Sequence, residues 1–157
     1  MKNWARLLIS VALPLAVGGF ASFFTRSEIG SWYATLQKPS WNPPSWVFGP
    51  VWTTLYVMMG IALYLVWKSG APENKKRPAI ALFMVQLVLN FFWSSIFFTL
   101  HQIGWALVEI VAMWVAILLT IFAFARISKL AAWLLVPYIS WVSFATILTY
   151  TIWQLNQ

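Results

Sequence analysis

The sequence predicts an all-α integral membrane protein, a bundle of five transmembrane helices with a long, ordered first loop. Of its 157 residues, 62% are hydrophobic and only 8% are charged, which lies far outside the composition of soluble domains. The apolar residues also form five runs, each near the ~20 residues that a helix needs to cross a bilayer. The runs lie at about 5–25, 46–67, 79–100, 104–125 and 131–154. Each should be helical, because the hydrocarbon holds no water to bond an unpaired backbone N–H or C=O.

The first run admits two interpretations. It follows Lys2 and Arg6 and ends among small residues, a pattern that also fits a secretory signal peptide. The apolar stretch continues through Phe23 and Phe24 to a full spanning length, so we interpret it as a retained helix. Pro14 should bend this helix, since proline lacks the N–H that the preceding turn needs. Residues 1–157 are then expected to form a single transmembrane domain.

The basic residues are divided unequally between the two sides of the predicted bundle. Two of them, Arg26 and Lys38, lie on the side of the first connection. The opposite side holds eight: Lys2, Arg6, Lys68, Lys75, Lys76, Arg77, Arg126 and Lys129. By the positive-inside rule, this asymmetry places the N-terminus in the cytoplasm of a bacterial cell. Because these residues flank apolar runs and form no separate basic patch, they do not predict nucleic-acid binding.

The first connection, at about 26–49, is the longest and is rich in aromatic residues and proline. Its distinctive residues are Trp32, Tyr33, Lys38, Pro39, Trp41, Pro43, Pro44 and Trp46. Proline restricts the backbone, and aromatic rings in a loop rest against other parts of a protein, so this segment fits an ordered lid over the bundle. The same rings also fit an anchor among the lipid headgroups.

Three of the predicted helices each carry an aromatic face. Residues spaced three or four apart on a helix share one side, and the second, third and fifth runs contain such sets. They are Trp52, Tyr56 and Met59; Asn90, Trp93 and Phe97; and Trp141, Ala145 and Leu148. Such stripes fit ordinary packing against neighbouring helices, and they also fit the walls of a pocket for a flat apolar ligand. Ala145, one turn from Trp141, favours a void at that level.

Few polar residues fall within the spans. The amide of Asn90 is costly in a bilayer unless it bonds across helices or contacts a ligand. Glu109 fits snorkelling to the interface, a bond to a neighbouring helix, or a ligand contact. His101 is the only histidine and the chain has no cysteine, so no metal site is predicted. Catalytic triads and phosphate-binding loops are also missing, which leaves hydrolysis and phosphoryl transfer without support.

One stretch of the sequence resembles a family signature. The stretch KPSWNPPSWVFGPVWTTLY at 38–56 closely resembles the signature of the TspO/MBR family, which includes tryptophan-rich sensory proteins and translocator proteins. Three further segments are similar to the family's later helices: QLVLNFFWS at 86–94, GWALVE at 104–109, and 133–156 with its PY and WVSFAT motifs. The resemblance therefore covers nearly the whole chain.

The resemblance implies a bundle of five helices, often a homodimer in the lipid bilayer, with a pocket closed by the first loop. In the family this pocket takes porphyrins, sterols and synthetic benzodiazepine-site ligands. The matching ligand-binding positions here are Trp32, Tyr33, Trp52, Tyr56, Asn90, Trp93, Trp141 and Ala145. The cholesterol motif of animal members needs a basic residue that does not follow Leu148 and Tyr150, so a tetrapyrrole is favoured over a sterol.

Three functions follow from these expectations. The leading one is binding of protoporphyrin IX, or a related tetrapyrrole, in porphyrin homeostasis or stress sensing, with Arg26 or Lys38 near the propionates. No cofactor is required, and metal-free porphyrin is favoured because no span contains a histidine. The second is light-dependent porphyrin degradation, with Trp52 and Trp141 as catalytic redox partners. The third is transport of sterol or porphyrin, which the sequence disfavours weakly because five helices do not divide into equal repeats.

Overall fold

The computed structural model describes residues 1–157, and all of its regular elements are helical. The elements are α1 (Asn3–Ile29), α2 (Trp32–Thr35), α3 (Ser45–Trp67), α4 (Glu73–Ser94), α5 (Ile103–Ala125), α6 (Lys129–Leu134) and α7 (Val136–Leu155). A π-helical segment, Ser95–Thr99, continues α4. Five stretches are long and apolar enough to cross a membrane: α1, α3, α4 with its π-helical segment, α5, and α6 with α7. The protein is therefore the predicted all-α integral membrane protein.

Two helix boundaries differ from the predicted ones. α4 begins at Glu73 instead of residue 79, because its charged first turn is exposed and extends the helix beyond the hydrocarbon. The fifth span, predicted as one bent helix, is interrupted at Leu135, and Pro137 lies in the first turn of α7. At that position the missing N–H of proline removes no helical hydrogen bond. α1 continues through Pro14 without interruption.

The two ends of the bundle are built differently. We call the end with the first connection (residues 30–44) the loop side, and the end with Lys2 the N-terminal side. Toward the N-terminal side the interior is filled, as in the parallel stack of Phe83 on Phe124 with ring centroids 5.9 Å apart. α6 packs there against α3 and α5. The N-terminal half of the bundle is therefore a packed base beneath the loop-side half.

Close contact between α1 and α3 depends on two glycines. A Cβ added to Gly60 would lie 2.5 Å from Val11 Cα and 2.7 Å from the Ser10 carbonyl oxygen, so the two backbones touch there. A Cβ added to Gly18 would overlap the ring of Tyr56. Gly18 therefore faces the interior of the bundle, although its spacing from Ser22 also fits a small-residue stripe for helix association between chains.

Candidate ligand-binding site

A cavity of about 590 Å³ lies in the loop-side half of the bundle, between α1, α3, α4 and α7. This volume is within the range of ~300–1,000 Å³ that is usual for small-molecule pockets. Most of the predicted site residues line the cavity: Tyr33, Trp52, Tyr56, Asn90, Trp93, Trp141 and Ala145. The three aromatic faces that the helical spacing indicated thus meet around one space.

Trp32 is the predicted site residue that does not line the cavity. Its ring stacks on the ring of His101, with centroids 4.1 Å apart and planes at 8°. His101 Nε2 lies 2.9 Å from Glu28 Oε2, and His101 itself has a left-handed backbone, with φ of 57°. The cluster joins the end of α1, the short helix α2 and the connection before α5. Trp32 therefore helps to hold the first connection in place and lies outside the lining of this cavity.

The aromatic walls come from α3 and α7. Trp52 stacks on Tyr56, one turn further along α3, with centroids 5.6 Å apart. On α7, the rings of Trp141 and Phe144 lie side by side, with centroids 5.4 Å apart. Ala145 occupies the next turn of α7 and lines the cavity, where its small side chain leaves room beside these rings.

A chain of hydrogen bonds begins at the inner end of the cavity, where Tyr56 and Asn90 line it. The Tyr56 hydroxyl donates to Asn90 Oδ1 at 2.7 Å, and Asn90 Nδ2 donates to the Tyr138 hydroxyl at 2.9 Å. The Tyr138 hydroxyl donates in turn to Gln86 Oε1 at 2.7 Å. These four buried side chains join α3, α4 and α7. Asn90 therefore joins three helices by hydrogen bonds and also lines the cavity. One N–H of its amide is left for a further partner.

Gln86 and Tyr138 were missed as site-forming residues, although their spacing contained the signal. Gln86 lies one turn before Asn90 on α4, and Tyr138 lies one turn before Trp141 on α7. Residues at this spacing share a helix face. A search for polar groups one turn from the predicted aromatic faces would have found both.

The wall from α1 was also missed. It is formed by small residues that share one face of the helix, Gly18, Ala21, Ser22 and Thr25. Their helical spacing was visible in the sequence, but a face without aromatic rings gives no indication of a ligand. Only the packing of α1 against α3 shows that this face looks into the cavity.

The first connection covers the cavity on the loop side. Tyr33 is buried against Phe97 and Phe98 of the π-helical segment, with ring centroids 6.1 and 5.6 Å away. Its hydroxyl donates to Asn42 Oδ1 at 3.1 Å. Burial raises the pKa of Tyr33, although the hydrogen bond to Asn42 opposes that rise. The hydroxyl therefore stays neutral, and remains a donor, at physiological pH.

Two hydrogen bonds also hold the middle of the first connection against the end of α7. The Gln37 N–H donates to Asn156 Oδ1 at 2.9 Å, and Asn156 Nδ2 donates back to the Gln37 carbonyl at 2.8 Å. The two interpretations of this segment concern different residues. Tyr33 covers the cavity as a lid does, whereas Trp41 and Trp46 are exposed, as interfacial anchors would be.

Charged groups are nearly absent from the cavity. Arg26 is the only charged residue that lines it. Lys38 is engaged within the first connection, where its Nζ donates to the carbonyls of Tyr33 and Leu36 at 2.8 and 3.1 Å. Of the two cations predicted near the mouth, only Arg26 is therefore placed to contact a ligand.

Glu109 lies outside this cavity. Both of its carboxylate oxygens are buried and have no hydrogen-bond partner in the protein. The carboxylate does not reach the interface by snorkelling, and it makes no bond to a neighbouring helix. No group of three or more His, Cys, Asp or Glu side chains is arranged to hold a metal ion.

Comparisons with known proteins agree with this architecture. The model of the TspO/MBR family matches residues 10–154. The chain is 50% identical to the tryptophan-rich protein TspO of Chlorobaculum tepidum over 99% of this chain and 98% of that one. It is 48% identical to the human translocator protein over 86% of this chain and 80% of the other. The tryptophan-rich sensory protein of Cereibacter sphaeroides is 34% identical over 98% and 93% of the two chains. The five spans, the cavity and these matches together establish that the chain belongs to the TspO/MBR family.

Proposed function

We propose that this protein binds protoporphyrin IX, or a related tetrapyrrole, as part of porphyrin homeostasis or stress sensing. The observation that carries the proposal is a cavity within the membrane whose walls are indole and phenol rings and whose only charged residue is Arg26. Aromatic faces favour a flat conjugated ring. A guanidinium favours carboxylates such as the propionates of a porphyrin.

The side chains suggest one orientation for the ligand. The macrocycle would lie between the walls of Trp52 and Trp141, with its propionates directed to Arg26. At the inner end it would meet the remaining N–H of Asn90. Trp93 also lines the cavity, and its buried indole N–H has no partner in the protein. The lone histidine is paired with Glu28 outside the cavity, so no residue offers iron an axial nitrogen and metal-free porphyrin is favoured.

The test is a titration of the detergent-solubilised protein with protoporphyrin IX, followed by tryptophan quenching in the dark. Saturable quenching is expected for the wild type. Ala145→Phe should weaken it strongly, because the new ring would occupy the cavity. Ala81→Phe, on the exposed face of α4, is the matched control and should bind like the wild type. If the wild type shows no saturable binding, the proposal fails.

One observation favours light-dependent degradation as a second candidate function. Trp52 contacts both Tyr56 and Tyr138, at centroid distances of 5.6 and 6.3 Å, so oxidisable rings lead from the cavity into the bundle. An excited porphyrin would take an electron from Trp52 or Trp141, leaving an indole radical cation. Dioxygen would then add across one C=C bond of the macrocycle and break it, so that both oxygen atoms enter the ring-opened product and the electron returns to the indole. Under illumination, Trp52→Phe/Trp141→Phe should stop the loss of porphyrin absorbance while binding persists. Unchanged loss in this double variant would remove the candidate.

The orientation in the membrane is a separate proposal. The excess of basic residues on the N-terminal side favours a cytoplasmic N-terminus in a bacterial cell membrane. Since the chain has no cysteine, single thiols report the orientation directly. A membrane-impermeant maleimide added to intact cells should label Ser40→Cys in the first connection and leave Ser69→Cys unlabelled. The reverse result would invert the topology.

Transport of sterol or porphyrin, binding of synthetic ligands and formation of a homodimer each have a separate test. Flux of labelled sterol or porphyrin into proteoliposomes, above that into empty vesicles, would favour a transporter. Competition by a synthetic benzodiazepine-site ligand would place that ligand in the same cavity. Cross-linking in the bilayer would report a homodimer.

A further inference from the structure

The residues that line the cavity are not equally exposed. Those contributed by α4, its π-helical segment, α7 and the first connection are all buried or half-buried. The exposed lining residues belong only to α1 and α3. They are Gly19 and Arg26 on α1, and Ser45, Trp46, Gly49 and Thr53 on α3. The cavity therefore opens through one gap, between the second half of α1 and the first half of α3.

This opening, the α1/α3 gap, faces the bilayer. α1 ends at Ile29, and at the helical rise of ~1.5 Å per residue Gly19 lies about 15 Å along α1 from that end. α3 begins at Ser45, and by the same rise Thr53 lies about 12 Å into it. Both helices span the membrane, so the gap extends from the interface to nearly the middle of the bilayer.

The two glycines in the gap leave its walls apart. A Cβ built on Gly19 or on Gly49 meets nothing within 4 Å. Each residue lines the cavity and is exposed, so neither glycine is required for close packing between α1 and α3. Their lack of a side chain leaves free space along the gap, and the contact of the adjacent Gly18 with the Tyr56 ring marks the inner limit of that space.

The route from water is covered by several contacts of the first connection. Tyr33 is buried over the π-helical segment, Gln37 is held by both groups of the Asn156 amide, and Trp32 is stacked on His101. Opening this route requires breaking these contacts. No comparable contact closes the α1/α3 gap at Gly19 or Gly49.

We propose that the ligand enters and leaves the cavity sideways, from the lipid leaflet on the loop side, through the α1/α3 gap. The ligand class is then an amphiphile dissolved in the bilayer, with an apolar body and an anionic end. Arg26 lies at the outer end of the gap, where such a molecule already holds its anionic group among the headgroups. The molecule could pass into the cavity without turning over. The anionic class rests on the proposed function, whereas the route does not.

A buried thiol in the cavity wall tests the route without any assumption about the ligand. Thr149 lines the cavity from α7 and is buried, and Thr149→Cys would be the only cysteine in the chain. In proteoliposomes it should react with an N-alkyl maleimide dissolved in the bilayer and resist a charged maleimide in the water. Ser40→Cys, in the exposed first connection, is the control that the charged reagent must label.

Blocking variants identify the path. Gly19→Leu/Gly49→Leu in the Thr149→Cys background should slow the apolar reagent by about tenfold, because side chains then occupy the gap, a barrier of ~1.4 kcal/mol. Gly70→Leu has equal free space at the opposite end of the bundle and should leave the rate unchanged. Asn156→Ala, which frees the first connection, should also leave it unchanged.

The opposite pattern overturns the route. Entry from water would be shown if the charged maleimide labelled Thr149→Cys faster in the Asn156→Ala variant and at an unchanged rate in the variant with the two leucines. Exchange of bound protoporphyrin IX extends the result to an anionic ligand if the same two leucines slow it. Varied alone, Arg26→Lys should then keep the wild-type exchange rate and Arg26→Gln should not. A wild type that labels through the gap but binds no protoporphyrin would remove the proposed function and keep the route.

Discussion

The two halves of the α1 and α3 pair use the same small residue in opposite ways. Toward the N-terminal side, Gly60 brings two backbones into contact, and at the boundary between the two halves Gly18 accepts the flat ring of Tyr56. Toward the loop side, Gly19 and Gly49 have open space around them. The comparison teaches that glycine in a membrane helix marks close packing in one half of this protein and an opening in the other. Whether a glycine marks close packing or an opening depends on what faces it.

Tyr56 lies at the boundary between the two halves. Its ring rests on Gly18 and its hydroxyl donates a hydrogen bond to Asn90. Tyr56 therefore closes the inner end of the cavity, and the filled part of the bundle begins beside it. The stability of the bundle should therefore depend on the N-terminal half and on the residues around Tyr56. The rim of the cavity should tolerate change.

The largest effect should come from Gly60→Leu. Its side chain would meet the backbone of Ser10 and Val11, which cannot move aside as a flexible side chain can, so overpacking should cost about 3 kcal/mol or more. Thermal unfolding in detergent measures the loss. Gly49→Leu, at the open end of the same helix, is the control and should unfold near the wild-type temperature. Equal midpoints for the two variants would refute the comparison between the halves.

Asn90→Leu should have the next largest effect. It leaves the hydroxyls of Tyr56 and Tyr138 without the amide that joins them, which should cost about 2–3 kcal/mol. Tyr56→Phe alone should cost about 1 kcal/mol, and the double variant should cost less than the sum because the two changes remove one shared bond. The exposed Asn74→Leu at the start of α4 serves as control. Additive losses would show that these side chains do not act as a network.

Asn156→Ala should act locally. Removing both hydrogen bonds to Gln37 should speed exchange of the Gln37 amide by an amount equivalent to about 1 kcal/mol, with little change in global unfolding. Hydrogen exchange resolved by residue provides the measurement, and Asn3→Ala at the exposed start of α1 is the control. Unchanged protection at Gln37 would mean that other contacts alone hold the first connection.

The smallest effect should come from Gly19→Ala. A methyl group at this position meets nothing, and alanine is favoured over glycine in a helix interior by ~0.5–1 kcal/mol, so unfolding should be unchanged or slightly later. Gly18→Ala is the adjacent control and should be destabilising, because its methyl would overlap the Tyr56 ring. A destabilised Gly19→Ala would show that the space beside Gly19 is occupied.

Much of the site could be predicted from sequence because it depends on local spacing. Trp52 with Tyr56, and Asn90 with Trp93, share a helix face wherever the helix is placed, so the faces were recognisable before any packing was known. Trp32 lies outside the cavity for the complementary reason. Its position in the first connection depends on His101, a residue far along the chain, and no spacing rule connects the two.

The sequence by itself determined the class of this protein, its five spans and the faces of three helices that form the cavity. These features follow from the length of apolar runs and from helical periodicity, which act between residues close along the chain. Tertiary structure alone decided that the small-residue face of α1 completes the wall, that Gln86 and Tyr138 extend the hydrogen bonds of Asn90, and that the cavity opens between α1 and α3. Each of these depends on which helix faces meet and how closely their backbones approach. That is fixed by the sizes of side chains on different helices acting together.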